Sequence, residues 1–371
     1  MITPQWTKTI GGPSAHVNNL STELRKLGQQ VWILSPDMGD GAICIGSNIF
    51  IQILSIFRWL IKIKPEVIHI HGRIKFIPPA LMYKILSMGS CRVLFNFHTQ
   101  PYFKSYLPIS AGGTPDYSVM GRIVAKWFLH KCDEIISCSH SLICNLNKYY
   151  QLDINKYTVL YTGAEIPAID SKNLVALKTD FELGASYPIL TSIGVFSWDW
   201  KVAGHQICIE AMPRLIDKFP NIKLLIVGRG AHEEFLIDVV RKNKIEKNVI
   251  FLGYTEYLRE VLDLTDIYIH MALNEAMGLS LVEAMHAGKP IIVANRGGLP
   301  ELIEHNISGL VIEPTSSELA QSIDYLLRNE NIRFKISKNS LEYAQNFLGL
   351  KYFAQCTLDI YGKPSCVSSG K

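Results

Sequence analysis

Two carboxylates and a glycine share one short stretch of this 371-residue chain. Glu275 and Glu283 lie eight residues apart in Asn274-Glu275-Ala276-Met277-Gly278-Leu279-Ser280-Leu281-Val282-Glu283-Ala284-Met285-His286-Ala287-Gly288-Lys289-Pro290. Eight helical residues turn through roughly 800°, so the two do not face each other from one straight helix, and one of them belongs in a loop. The pattern predicts an apolar strand over 267–271, a turn over 273–279 containing Gly278, and a helix over 280–287 ended by Gly288 and Pro290. Glu275 then stands in the loop over the helix N-terminus, and Glu283 about one turn inside. The unpaired N–H groups and positive dipole of such a terminus suit a diphosphate or an array of sugar hydroxyls. Carboxylates accept hydrogen bonds from hydroxyls, the group that sugars and ribose offer in quantity.

Three other places carry polar chemistry at the edge of an apolar run. Gly11-Gly12-Pro13-Ser14-Ala15-His16-Val17 opens a helix whose apolar positions continue through Leu20, Leu24 and Leu27, and paired glycines there let the backbone approach an anion closely. Phe97-His98-Thr99 ends a strand at the carboxyl edge where open α/β sheets bind ligands, so His98 is a candidate site residue. His69 and His71 alternate along another strand, but a His-x-His pair without a third ligand reads as structural.

Short apolar runs alternating with longer amphipathic ones predict α/β architecture with parallel sheets and crossover helices. One series of strands covers 31–35, 67–71, 92–97, 134–138 and 158–161. A second covers 189–194, 223–228, 249–253, 267–271, 291–294 and 310–313. Between them, 166–187 holds no clear strand and is expected to contain the linker, so the chain reads as two doubly wound units in tandem.

The Glu275 to Glu283 segment resembles the Glu-x7-Glu signature of retaining glycosyltransferases with two Rossmann-like domains facing across a cleft, the GT-B fold, and most closely family 4 of that class. Ile291-Ile292-Val293-Ala294 and Arg296-Gly297-Gly298-Leu299-Pro300-Glu301 follow as that family's next strand and Gly-Gly-x-Pro-Glu turn. The resemblance implies that Glu275 contacts the donor sugar, that the backbone of Met277, Gly278 and Leu279 binds its hydroxyls, and that Glu283 binds the ribose. It implies further that Gly11 and Gly12 line the donor side and that His98 lies near the acceptor and reacting centre. Met277 replaces the family's usual Phe. Family members also carry Gly-Arg at the start of the second domain, with a Lys about six residues later, both on the donor diphosphate. Here Gly194-Val195 stands in that place, Lys201 is at the expected distance, and Arg229 in Gly228-Arg229-Gly230 is a candidate substitute for the missing cation.

The implied activity is metal-independent, retaining transfer of a sugar from a nucleotide diphosphate sugar to an acceptor hydroxyl, in cell-surface polysaccharide or glycolipid synthesis. No cofactor is expected, and no Asp-x-Asp motif is present to hold a metal. The acceptor would be a sugar, a lipid-linked group or a small molecule. A non-catalytic subunit of the same fold and a nucleotide-sugar epimerase are the rival readings. The resemblance divides the chain into an acceptor-side domain (1–168), a nucleotide-sugar donor domain (169–340), a helix crossing back to the first domain (341–362) and a tail (363–371).

Composition excludes several classes. With 48% apolar and 19% charged residues the chain is globular rather than disordered. Its eight cysteines include no Cys-x-x-Cys pair and read as reduced thiols of a cytoplasmic protein. No apolar run approaches the ~20 residues of a membrane span, since 49–63 is interrupted by Gln52, Arg58 and Lys62. The net charge of +4 is uneven: residues 1–168 hold 16 Lys and Arg against 9 Asp and Glu. That basic half suits an anionic membrane surface, giving a protein peripheral to the inner face of the membrane, and nothing points to nucleic acid. Finally, Met1-Ile2-Thr3-Pro4 supplies only the end of the family's first strand, which predicts a central strand cut short and a natural start upstream of Met1.

Overall fold

A computed structural model describes residues 1–4, 6, 12–37, 39, 41–99, 119–185 and 188–362. Two compact α/β units emerge, the first from the described residues of 1–163 together with 348–362, the second from those of 164–347.

In the first unit, α1 (Gly12–Lys26) leads to the short strands β1 (Leu34–Ser35) and β2 (Ile43–Cys44). There follow α2 (Ile49–Ile63), β3 (Val67–His71), α3 (Ile77–Leu86), β4 (Arg92–Phe97), α4 (Val119–Lys131), β5 (Glu134–Ser137), α5 (His140–Tyr150) and β6 (Tyr157–Val159). Strands β3, β4, β5 and β6 pair in that order, all parallel. Residues 1–3 bridge this sheet to β1: Ile2 N–H donates to the His69 carbonyl at 2.9 Å, and Thr3 N–H donates to that of Leu34 at 3.0 Å. Residues 1–3 are thus joined to a neighbouring strand on each side. The core is built from Leu20 and Leu24 of α1, Leu94, Ile136 and Leu160 under them, and Phe353 near the chain's end.

The second unit contains α6 (Ser171–Asp180), β7 (Ile189–Ile193), α7 (Asp199–Ile216), β8 (Lys223–Val227), α8 (Glu233–Asn243), β9 (Val249–Gly253) and α9 (Leu258–Leu264). It continues through β10 (Ile267–His270), α10 (Leu279–His286), β11 (Ile291–Ala294), β12 (Leu310–Ile312), α11 (Ser316–Arg328) and α12 (Glu330–Phe347). Its six strands are parallel in the order β12-β11-β10-β7-β8-β9. The segment expected to contain the linker also holds α6, whose Leu177 packs with Ile189, Leu225 and Val261 in the unit's core. The helix expected across 341–362 is two helices: α12 stops at Phe347, and α13 (Leu350–Gly362) packs along α1 in the first unit. Gly349 sits at the break, where its carbonyl accepts from Phe353 N–H and lies against Gly163.

Strand order fixes where ligands can sit. In the second unit the chain runs outward from β7 through β8 and β9, then returns to add β10, β11 and β12 on the other side. The loops after β7 and β10 thus part company above neighbouring strands, leaving the crevice in which doubly wound sheets bind ligands. Residues 1–3 and β3 make the equivalent switch point in the first unit. Among the described residues no helix is long and apolar enough to cross a membrane, and all seven cysteines are free.

Candidate functional site

At the switch point of the second unit, the loop after β7 leads into α7 with Lys201 in its first turn, and the loop after β10 carries Glu275. The Lys201 Nζ donates to Glu275 Oε2 at 2.7 Å. The same oxygen lies 3.4 Å from Nε2 of the buried His270. His270 Nδ1 is 3.0 Å from the Tyr268 hydroxyl, which donates to Ser280 Oγ at 3.0 Å. Burial alone would raise the Glu275 carboxyl, but the Lys201 ammonium and the His270 contact overcome it and hold it down at about 2. Glu275 is therefore a fixed anion on a lysine at neutral pH. Below it a small recess is lined by Ser192, Gly194, Lys201, His205, His270 and Met271. His205, pinned to Ser192 Oγ at 3.0 Å, is pushed down to about 3 by burial and by the neighbouring His270 and Lys201, so it is neutral.

The loop is held in shape by glycines. Gly278 opens α10 with φ of +88°, and a Cβ on Gly297 (φ +60°) would stand 2.1 Å from the Glu275 carbonyl oxygen. Gly298 N–H donates to that same oxygen at 2.9 Å. The Gly-Gly-x-Pro-Glu turn thus serves as a backrest for Glu275. Met277 is buried, and Gly278 and Leu279 present the first turn of α10. Glu283 follows one turn in. Its carboxylate meets no hydrogen-bond donor among the described residues, and burial pushes it up to about 7.

Two further residues of the second unit lie outside this group. Arg229 is exposed, with its guanidinium along Gly253 at the end of β9, and does not line the recess of Lys201. Val195 is partly exposed in the loop after β7. Gly12 begins α1 with open space where a Cβ would project, and Gly11 lies outside the described residues.

In the first unit His98 is one of four clustered histidines, which corrects the reading of His69 and His71 as an isolated pair. His71 Nδ1 meets His98 Nε2 at 3.1 Å with the rings stacked, while His16 of α1 approaches His98 edge-on at 4.5 Å. His16 is anchored by Thr162 at 3.0 Å and Asn96 at 3.1 Å, and His69 by the Tyr361 hydroxyl at 2.8 Å. Burial is the leading cause that holds His98 at about 4 and the other three well below their usual value, so all four are neutral at pH 7. Nitrogens of His16, His71 and His98 lie within 4.8 Å of one another, close enough to share a cation, although they already bond to each other and to Asn96 and Thr162.

Sequence reasoning missed His270, Tyr268, Ser280 and His205. Tyr268 and His270 alternate along β10 into the loop, and that alternation is the signal that places both on the face toward α10.

Two family descriptions match the chain: Glycosyltransferase Family 4 over residues 10–166 and Glycosyl transferases group 1 over residues 179–343. The chain is 28% identical over 284 residues to the N-acetyl-alpha-D-glucosaminyl L-malate synthase of Bacillus anthracis, covering 75% of this chain and 69% of that one. It is 25% identical over 358 residues to the phosphatidyl-myo-inositol mannosyltransferase of Mycobacterium leprae, covering 90% and 88%. Anabaena Alr3699/HepE, solved with UDP, superposes with a TM-score of 0.79 at 17% identity over 97% of this chain and 98% of that one.

Proposed function

Because this chain belongs to the group 1, family 4 glycosyltransferases of the GT-B fold, we propose that it moves a sugar, with retention at the anomeric carbon, from a nucleotide diphosphate sugar to an acceptor hydroxyl. The observation that carries this reading is the Lys201–Glu275 ion pair, set at the switch point beside the N-terminus of α10. With one of its three N–H groups on Glu275, Lys201 keeps two for diphosphate oxygens, and the amides of Gly278 and Leu279 add the terminus of a helix. Glu275, ionised and fixed, would accept from the donor sugar's hydroxyls, and Glu283 from those of the ribose. The same Anabaena protein has been solved with UDP-glucose, which supports a nucleotide sugar as the donor.

As the bond to the leaving phosphate breaks, the charge that develops there would be met by Lys201 and the helix amides. The leaving phosphate would itself take the acceptor proton, so Glu275 orients and polarises rather than forming a covalent intermediate. No metal or cofactor is proposed for this step. The first unit, with His98 beside His16 and His71, would receive the acceptor. We further propose that the acceptor belongs to cell-surface polysaccharide or glycolipid synthesis and that the protein works at the inner face of the membrane, to which its basic first half is suited. Incubation with a panel of nucleotide sugars, following nucleotide release and product anomer by NMR, tests the reading. Release with a retained anomer, unaffected by chelator, is expected. Val195 at the family's arginine position favours a non-catalytic subunit as the second reading, and binding without release from any donor would select it.

A further inference from the structure

Helices α2 to α5 form a row on the first unit, α2 packing along α3, α3 against α4 and α4 against α5. Right-handed crossovers put this row on the opposite face of the sheet from α1 and α13. Its forty-nine residues include seven lysines and arginines and no aspartate or glutamate, although acidic residues number 33 in the chain of 371. A row of amphipathic helices in an average domain mixes both signs on its outer side. This one carries a single sign.

The outward positions of the row are also apolar. Phe50 and Leu54 of α2, Ile85 of α3 and Trp127 of α4 are 74, 65, 77 and 57% exposed. Twelve of the twenty-four exposed large apolar side chains among the described residues fall within 50–88 or 120–127. Phe50, Leu54 and Ile61 recur at helical spacing with Arg58 and Lys62 beside them. Cations accompany the half-buried Trp59 and the exposed Trp127: Lys62 Nζ lies 4.7 Å from the centre of the first ring, and Lys131 Nζ 5.9 Å from that of the second. Soluble monomers seldom leave so much apolar surface together without a use for it. Apolar side chains and tryptophan amid cations of one sign match a surface that is negative at the headgroups and apolar beneath them.

We propose that the α2–α4 face of the first unit docks on an anionic lipid bilayer. Phe50, Leu54, Ile85 and Trp127 enter the headgroup boundary while Arg58, Lys62 and Lys126 meet lipid phosphates. The proposal rests on the peripheral location proposed above and not on the transfer chemistry. Flotation with phosphatidylglycerol-containing vesicles tests it, with pure phosphatidylcholine vesicles as the comparison. The full chain should float with the anionic vesicles only, and less as salt rises from about 50 to about 500 mM, where charges become screened. Leu54→Glu and Ile85→Glu should each lower the vesicle-bound fraction about ten-fold or more, as expected for removing a large apolar anchor. Arg58→Glu/Lys62→Glu, altered only at exposed positions, should do the same. UDP binding by calorimetry should be unchanged in every variant, so a failure of donor binding and a failure of docking read out separately. Equal flotation with neutral and anionic vesicles would overturn the proposal. So would a protein that ignores both vesicles and forms a dimer that Leu54→Glu dissociates, since the face would then be an interface between proteins.

Discussion

Glu275 and Glu283 are the same side chain, one helical turn and a loop apart, yet their surroundings drive them in opposite directions. Lys201 and His270 hold Glu275 at about 2, whereas burial without a donor pushes Glu283 up to about 7. For Glu275 the folded value lies below the ordinary 4.5, so the stability from its ion pair is present above that pH and is lost as pH falls toward 2. Glu275→Gln should flatten that acid limb in a thermal-denaturation series, and it should lower kcat far more than it raises the donor KM. Near-wild-type kcat in this variant would remove Glu275 from the mechanism. For Glu283 the sign reverses. The folded state holds its proton longer than the unfolded one, so this group costs stability increasingly between about pH 4.5 and 7. Ribose hydroxyls donate best to the ionised carboxylate, so donor affinity should rise as pH rises through 7, with proton release on binding. Glu283→Gln should abolish both, and calorimetry in buffers of different ionisation enthalpy would detect a release that persists. Lys201→Ala should weaken nucleoside diphosphate binding by about 2 kcal/mol or more, the scale of a lost charge-assisted bond. Unchanged binding would transfer the diphosphate to another cation.

At the scale of elements, the loop that presents Glu275 takes its shape from contacts with the next turn rather than from its own residues. Gly297→Ala adds a methyl that meets the Glu275 carbonyl oxygen at a position whose φ already disfavours alanine. It should destabilise the protein by about 1–3 kcal/mol and lower kcat/KM, through a displaced carboxylate. A variant with wild-type melting temperature and kinetics would show that the backrest is dispensable. This loop and its helix were legible in the sequence because an apolar run, Gly278 and the closing Gly288-Lys289-Pro290 are local signals. The Tyr268–His270–Glu275 relay was not, since alternation on a strand tells which face a side chain takes but not what it meets there. The histidine cluster was illegible for a stronger reason. His16, His71 and His98 are far apart in sequence and come together only because residues 1–3 and β3 flank the switch point of a parallel sheet. The two-residue strand β2 and the break between α12 and α13 escaped because each is decided by pairing and packing partners distant along the chain.

At the scale of the whole molecule, alternating apolar runs were enough to read two doubly wound units, since that pattern repeats over every strand. Each unit has its own core, so a ligand of one need not stabilise the other. Scanning calorimetry should resolve two transitions, of which a nucleoside diphosphate that binds raises only that of the second unit. Phe353→Ala, which empties the core of the first unit, should lower the other transition by the equivalent of about 3–5 kcal/mol and leave nucleoside diphosphate affinity intact. A single transition that moves as one would show the units to be thermodynamically inseparable. The placement of α13 in the first unit has a further consequence, for biosynthesis. A ribosome makes residues 1–163 first, but their core waits for Phe353 and Ala354 to cover Leu20 and Leu24. The described residues of the second unit all fall between 164 and 347, so it can close while the first is still open. On stalled nascent chains, protease protection should therefore appear in the later-made unit first. The first should become resistant only after residue 362 has cleared the exit tunnel, and a chain interrupted between 347 and 350 should carry one finished domain behind one that cannot finish.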